Sequence, residues 1–233
     1  MSDQSPHTER LGRELAAGIR NGDTVGLGSG STVARLLPAM VRAMREKGVE
    51  ATWVPTSLQI QAVAQELKVR VGPLTSPDIV KAVDGADQVD RKLNLIKGGG
   101  GALLKEKILL GSAKDSAIVA DEKKFVEKLG MGDYRVPIEV SQFARETAMA
   151  MLKKRGSKDV KIRLDARGYP AYSENGNMLF DALFDPIEDP AKTEVELKSI
   201  PGVLEVGIFV IRPITVYKIR PDGSYEALKA STR

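Results

Sequence analysis

No cysteine occurs in the chain, which excludes disulfides, thiolate metal sites and a cysteine nucleophile. The single histidine, His7, sits in a polar N-terminal stretch, so neither a multi-histidine metal site nor a histidine-based triad can be assembled. No apolar run approaches the ~18 residues of a membrane span, and residues 1–10 lack the apolar core of a signal peptide. The sequence reads as a cytoplasmic protein with no membrane partner. Aromatic residues are scarce at 5%, without the clustered set that an RNA-binding sheet needs. No helix-turn-helix pattern precedes residue 24, and the net charge of +4 arises from basic residues interleaved with acidic ones. A nucleic-acid partner is therefore not expected. What remains, 42% hydrophobic and 28% charged over 233 residues, is an ordinary soluble globular composition.

The first half alternates short β-branched runs with helical periodicity, the pattern of βα units in a largely parallel sheet. Strands are expected over 24–27, 51–54, 79–83 and 116–120. Val33, Leu36, Leu37, Met40, Val41 and Met44 recur at three and four and predict an amphipathic helix. Pro38 within it predicts a kink. After about residue 130 the rhythm becomes strand 136–140, helix 141–154, strands 159–164 and 178–181, helix 190–199 and strand 203–210. This βαββαβ order is ferredoxin-like. The expected fold class is α/β, a Rossmann-like sheet flanked by helices, with a smaller ferredoxin-like α+β domain. The expected domains are 1–130 plus about 207–233, and about 131–206, with segment 215–220 returning to the larger one.

Three glycine-bearing stretches could carry chemistry. Behind the first strand, Gly28 is followed by Ser29, Gly30, Ser31 and Thr32, then by a helix. Backbone N–H groups, hydroxyls and a helix N-terminus suit a monophosphate. The loop lacks a P-loop lysine, and its third position is Ser31 where a dinucleotide fingerprint needs Gly or Ala. A capped glycine turn is the plain alternative. Asp84, Gly85, Ala86 and Asp87 follow the strand 79–83, which places both carboxylates at the sheet edge where open α/β sheets bind ligands. An Asp-rich turn explains them as simply, and two carboxylates do not by themselves identify a metal.

Lys97 precedes four glycines, 98–101, and such a run is entropically costly unless a backbone must approach a ligand closely or hinge. In the helix that follows, the neighbours of Glu106 at three and four residues are Ala102, Leu103, Leu109 and Leu110, with no counter-charge among them. Its carboxylate is expected on the apolar face, isolated, with Lys97 close by in the chain; a glutamate at the edge of the stripe reaching solvent is the plain alternative. A carboxylate kept from water gains the proton affinity that a general base for a carbon-bound proton requires. Asp121 to Lys124 ends the fourth strand; Lys124 or Lys123 could close on a phosphate, although a solvated charge run is the plainer reading.

Together these stretches resemble the type A ribose-5-phosphate isomerase family. The similarity rests on 26–32, on Asp84 to Asp87, on 97–107, on Val119 to Asp121 with Lys124, and on 136–139, 175–177 and 200–209. It implies interconversion of D-ribose 5-phosphate and D-ribulose 5-phosphate in the non-oxidative pentose phosphate pathway, through an enediolate and without metal or other cofactor. By resemblance, Glu106 is the proton acceptor, and Asp84, Asp87 and Lys97 handle ring opening and the O1 and O2 oxygens. Ser29, Gly30, Ser31, Thr32, Asp84, Gly85, Ala86, Asp87, Lys97, Gly98, Gly99, Gly100 and Lys124 match substrate-binding positions. The resemblance also implies a homodimer or homotetramer. A sugar-phosphate sensor, or a lactonase or deaminase on a related fold, would share the phosphate loop. The sensor would give Glu106 no role.

Overall fold

Ser5 and Pro6 start the first helix. The Ser5 hydroxyl accepts from the Thr8 N–H at 3.2 Å, and Pro6 occupies a position whose N–H would have no helical partner. This helix, α1 (Pro6–Leu15), buries Leu11 and Leu15. The chain continues through β1 (Thr24–Leu27), α2 (Ser31–Arg45), β2 (Thr52–Pro55), α3 (Leu58–Glu66), β3 (Arg70–Val71) and β4 (Ile79–Gly85). Two short strands, β5 (Gln88–Val89) and β6 (Leu95–Ile96), precede α4 (Leu103–Ser112) and β7 (Ala113–Asp121). Next come β8 (Val136–Val140), α5 (Arg145–Lys154), β9 (Asp159–Ile162), β10 (Met178–Leu183) and α6 (Pro190–Lys198). The chain closes with β11 (Val203–Val206), β12 (Ile208–Phe209), β13 (Ile214–Ile219) and β14 (Tyr225–Ala230). The computed structural model describes residues 5–76 and 78–230, so the expected domain ends at 1–4 and 231–233 lie outside the described residues.

The contacts divide the chain into two units. The first takes residues 1–85, 108–122 and 211–233; the second takes 86–107 and 123–210. The expected division, near 130 and 207, is drawn differently because β5, β6 and β12 pair with one another in a three-stranded sheet inside the second unit.

The first unit carries a seven-stranded sheet in the order β14-β13-β7-β4-β1-β2-β3. Its strands are parallel except β14, which pairs antiparallel with β13 at the edge. Leaving out β14 and counting along the chain within this unit, the order is that of a doubly wound Rossmann sheet, whose direction of winding reverses between β1 and β4. Segment 215–220 does return to this sheet, as β13. Val25, Leu27, Leu36, Leu37, Met40, Trp53 and Ile60 are core side chains here. Helix α2 continues through Pro38 to Arg45.

The second unit contains a four-stranded antiparallel sheet in the order β11-β8-β10-β9. With α5 and α6 as the connections, this is the ferredoxin-like arrangement expected from the strand and helix sequence. Its core is a separate apolar cluster around Val136, Ile138, Phe180, Leu197 and Val206. The expected continuous strand 203–210 is broken at Gly207. A Cβ there would fall 2.4 Å from the Lys97 carbonyl oxygen and 2.8 Å from that of Pro137. The chain bends at this contact, with the Lys97 N–H donating to the Gly207 oxygen, and β12 pairs with β6 in the other sheet.

Lys107 fixes the start of α4 within this unit. Its ammonium donates to Glu194 at 2.6 Å, to Glu205 and the Val206 carbonyl at 2.8 Å each, and to the Ile208 carbonyl at 2.9 Å. The Phe209 ring lies 4.6 Å away. Burial pushes the Glu205 carboxyl up, but Lys107, the Val206 N–H and Lys198 outweigh it and hold the group below its ordinary 4.5. A carboxyl lowered on folding stabilises the protein above its unfolded value, and that contribution is lost as pH falls through the folded one. Acid titration of unfolding should therefore show wild type losing more stability than Glu205→Gln as pH falls below about 5. Lys107→Met should lower the unfolding free energy in urea by about 1 to 3 kcal/mol, because it takes one of two ammonium groups from the buried Glu205 carboxylate and leaves the Val206 and Ile208 carbonyls without this donor.

Candidate active site

The loop after β1 and the end of β4 meet at the winding reversal of the first unit's sheet, where ligands of such sheets bind. The Gly28 N–H donates to the Val83 carbonyl at 2.8 Å, which ties the loop to β4. A Cβ on Gly28 would lie 1.9 Å from the Asp84 carboxyl carbon, so only glycine lets this buried carboxylate stand beside the loop. Asp84 takes the N–H of Gly85 at 2.7 Å. Thr32 lies against Gly85, within 3.7 Å of where a Cβ would be. The Gly30 N–H donates to the Gln59 side-chain oxygen at 3.2 Å. Of the predicted loop residues, Thr32 thus stands beside Gly85, while Gly28, just before them, stands beside Asp84. Gln59 had no sequence signal to mark it.

The remaining predicted residues belong to the second unit. Asp87 accepts the Gly99 N–H at 2.9 Å. Lys97 and Glu106 form an ion pair, Nζ to Oε2 3.1 Å, with both side chains only 3% exposed. Glu106 is therefore dry, as its helical neighbours predict. The expectation that its carboxylate is isolated is corrected, since its counter-charge comes from beyond the helix. Residues three and four away in the helix carry no counter-charge, whereas Lys97 reaches Glu106 from across the glycine loop. A carboxylate this far from water is tolerated because an ammonium faces it.

Gly98 gives the loop its turn. Its φ of +102° is a conformation that residues with a Cβ rarely adopt, and a Cβ there would also press on Leu103 at 3.0 Å. The Lys97 ammonium lies 5.6 Å from the Phe209 ring centre, an aromatic face that favours a cation. Tyr134 stands near Asp87, and its hydroxyl is pushed up to about 12, first by burial and then by the Asp87 charge. Lys124 is half-buried in the 3-10 turn Glu122–Lys124 that follows β7. Tyr134 was not marked by the sequence. Phe209 fell within a matched stretch, although nothing there assigned it a contact.

The chain thus combines a doubly wound α/β sheet, a ferredoxin-like unit and a buried Lys–Glu pair next to a four-glycine loop. Residues 52–223 match the family model of ribose 5-phosphate isomerase A (phosphoriboisomerase A). Ribose-5-phosphate isomerase A of Methanothermobacter thermautotrophicus is 43% identical over 192 residues, covering 82% of this chain and 84% of that protein. The Methanosarcina acetivorans protein of the same name is 39% identical over 209 residues, covering 89% and 88%. Among solved structures, ribose 5-phosphate isomerase A from Methanocaldococcus jannaschii superposes with a TM-score of 0.85 at 32% identity, covering 96% of this chain and 98% of that one. A D-ribose-5-phosphate isomerase in complex with phospho-erythronic acid gives 0.88 at 33% identity, with the same coverage. The chain belongs to the ribose 5-phosphate isomerase A family and is an isomerase. Among the described residues no helix is long and apolar enough to cross a membrane.

Proposed function

We propose that the chain interconverts D-ribose 5-phosphate and D-ribulose 5-phosphate through a metal-independent enediolate, with Glu106 as the general base, in the non-oxidative branch of the pentose phosphate pathway. The observation that carries this reading is the water-excluded Lys97–Glu106 pair at 3.1 Å. The C2 hydrogen of an aldose is weakly acidic, so its removal needs a base held in place and a positive charge for the oxygen that becomes negative. Glu106 takes the C2 proton of the open-chain aldehyde, and the electron pair moves through C1 to O1. Its negative charge passes to the enediolate, and Lys97 then faces that oxygen in place of the neutralised carboxyl. Returning the proton to C1, with the O2 proton moved to O1, completes the ketose. Asp84, Asp87 and Lys97 serve ring opening and the O1 and O2 protons.

Ser29, Gly30, Ser31 and Thr32, with Lys124, hold the phosphate, while Gly85, Ala86, Gly98, Gly99 and Gly100 line the sugar. Binding energy from the non-reacting phosphate orients the reacting carbons. A solved relative's complex with phospho-erythronic acid supports a phosphorylated ligand of this kind. Lys124→Ala should raise KM about tenfold with kcat unchanged, because a charge-assisted bond to phosphate is made equally in ground and transition states. A fall confined to kcat in steady-state assays would remove Lys124 from that role. Isomerisation in deuterium oxide tests the chemistry itself. Product carrying solvent deuterium at C1 is expected, and full equilibration with none incorporated would point to a direct hydride shift.

A further inference from the structure

Two carbonyls of the four-glycine loop are held by one side chain. The Arg163 guanidinium donates through Nη1 to the carbonyls of Gly98 and Gly99, both at 2.9 Å. Its other edge is forked onto Asp181, Nε to Oδ2 2.9 Å and Nη2 to Oδ1 2.5 Å. The pair is largely withdrawn from water, at 16% and 22% exposure. A planar guanidinium with fixed donors can bridge a carboxylate on one edge and backbone carbonyls on another, which a lysine cannot reproduce.

The consequence lies in a single peptide group. The carbonyl of Gly98 and the N–H of Gly99 belong to one planar unit and point in opposite directions. Arg163 takes the carbonyl end, and the N–H end donates to Asp87 Oδ2 at 2.9 Å. Fixing one end aims the other. Glycine offers this peptide no side chain to hold it, and the rotations on either side are the least restricted in the chain. A second tether, the Glu174 N–H to the Gly101 carbonyl at 3.1 Å, holds the far end of the loop; the Gly101 N–H also donates to the Gly98 carbonyl at 3.0 Å, but that bond lies within the loop, whereas Arg163 ties the same carbonyl to β10 through Asp181.

We infer that Arg163, braced by Asp181, is a positioning residue that sets the Gly98–Gly99 peptide and through it the Asp87 carboxylate. The inference rests on the proposed role of Asp87 in handling the sugar oxygens, and it adds a residue that no site motif contains. Arg163 acts on the substrate only through that peptide and Asp87.

The test uses the intact enzyme carrying Arg163→Ala, with three readouts. Amide hydrogen exchange at Gly99, measured without substrate, should speed up at least about tenfold while the β8 amides keep their protection. Turnover of ribose 5-phosphate should fall about 10-fold to 100-fold in kcat with little change in KM, as expected when a reacting group is slightly misplaced. Millimolar guanidinium ion should restore part of that kcat, whereas equal sodium chloride should not. Unchanged Gly99 exchange, or a kcat loss that guanidinium leaves untouched, overturns the inference. Arg163→Lys keeps the charge beside Asp181 and, should the alanine variant fail to fold, takes the Gly99 exchange and kcat readouts, with both changes expected and either one's absence overturning the inference. Because Gly99 exchange is read without turnover, it reports on Arg163 even if Glu106→Gln proves active and the proposed base is wrong.

Discussion

Glu106→Gln will lose on the order of 10² to 10⁴ in kcat while binding ribose 5-phosphate with nearly the wild-type affinity. The substitution keeps the shape of the side chain and removes its ability to accept a proton. Glu106 is buried at 2% exposure, so bulk water cannot readily substitute for it as the base. A carboxamide beside Lys97 retains an acceptor oxygen for the ammonium, which is why folding should survive. Steady-state kinetics together with titration of a phosphorylated sugar acid read the two effects apart. Wild-type turnover would remove Glu106 from the chemistry, and a lost affinity with intact kcat would make it a binding residue.

Lys97→Met is expected to have the second-largest effect, in stability and rate together. It leaves the Glu106 carboxylate buried without the ammonium now 3.1 Å from it, a change that typically costs roughly 3 to 5 kcal/mol. It also removes the charge proposed to stabilise the enediolate oxygen, worth about 10² to 10³ in kcat. The double variant Lys97→Met with Glu106→Gln removes the uncompensated charge and should recover much of the lost stability while remaining inactive. Urea unfolding of the four proteins in this cycle gives the coupling directly. Additive stability losses would mean that the pair is not energetically coupled, whatever its geometry.

Much of the large sheet can be read from local pattern. Strand β1 of that sheet, and β8 of the four-stranded one, fall on the residues where β-branched runs end at polar or glycine positions. The break at Gly207 is not legible, because it is imposed by the Lys97 and Pro137 backbones, which approach from elsewhere in the chain. The two-residue strands β5 and β6 are too short to show any periodicity. Helix α2 reads clearly from its apolar spacing. By contrast, α1 lies in a polar stretch whose helical cues are limited to the Ser5 cap, Pro6 and the four-residue spacing of Leu11 and Leu15.

The site divides along similar lines. The dryness of Glu106 follows from periodicity, since its neighbours one turn away are all apolar. Its pairing with Lys97 depends on the path of a glycine loop, and glycines carry no side-chain pattern from which a path can be read. The closeness of Asp84 to Gly28 depends on the register of β1 against β4, a tertiary property that no local window contains. Arg163 is the extreme case, because 65 residues separate it from the Gly98 carbonyl it holds.

The most direct measurement is loss of deuterium from C2-deuterated ribose 5-phosphate to solvent water, followed by NMR with saturating substrate on wild type and Glu106→Gln. Wild type should release the label during turnover, and the variant should bind the sugar yet release it at least about 100-fold more slowly. Label leaving the variant at the wild-type rate would mean that some other group takes the proton, and the account built on the buried pair would be contradicted.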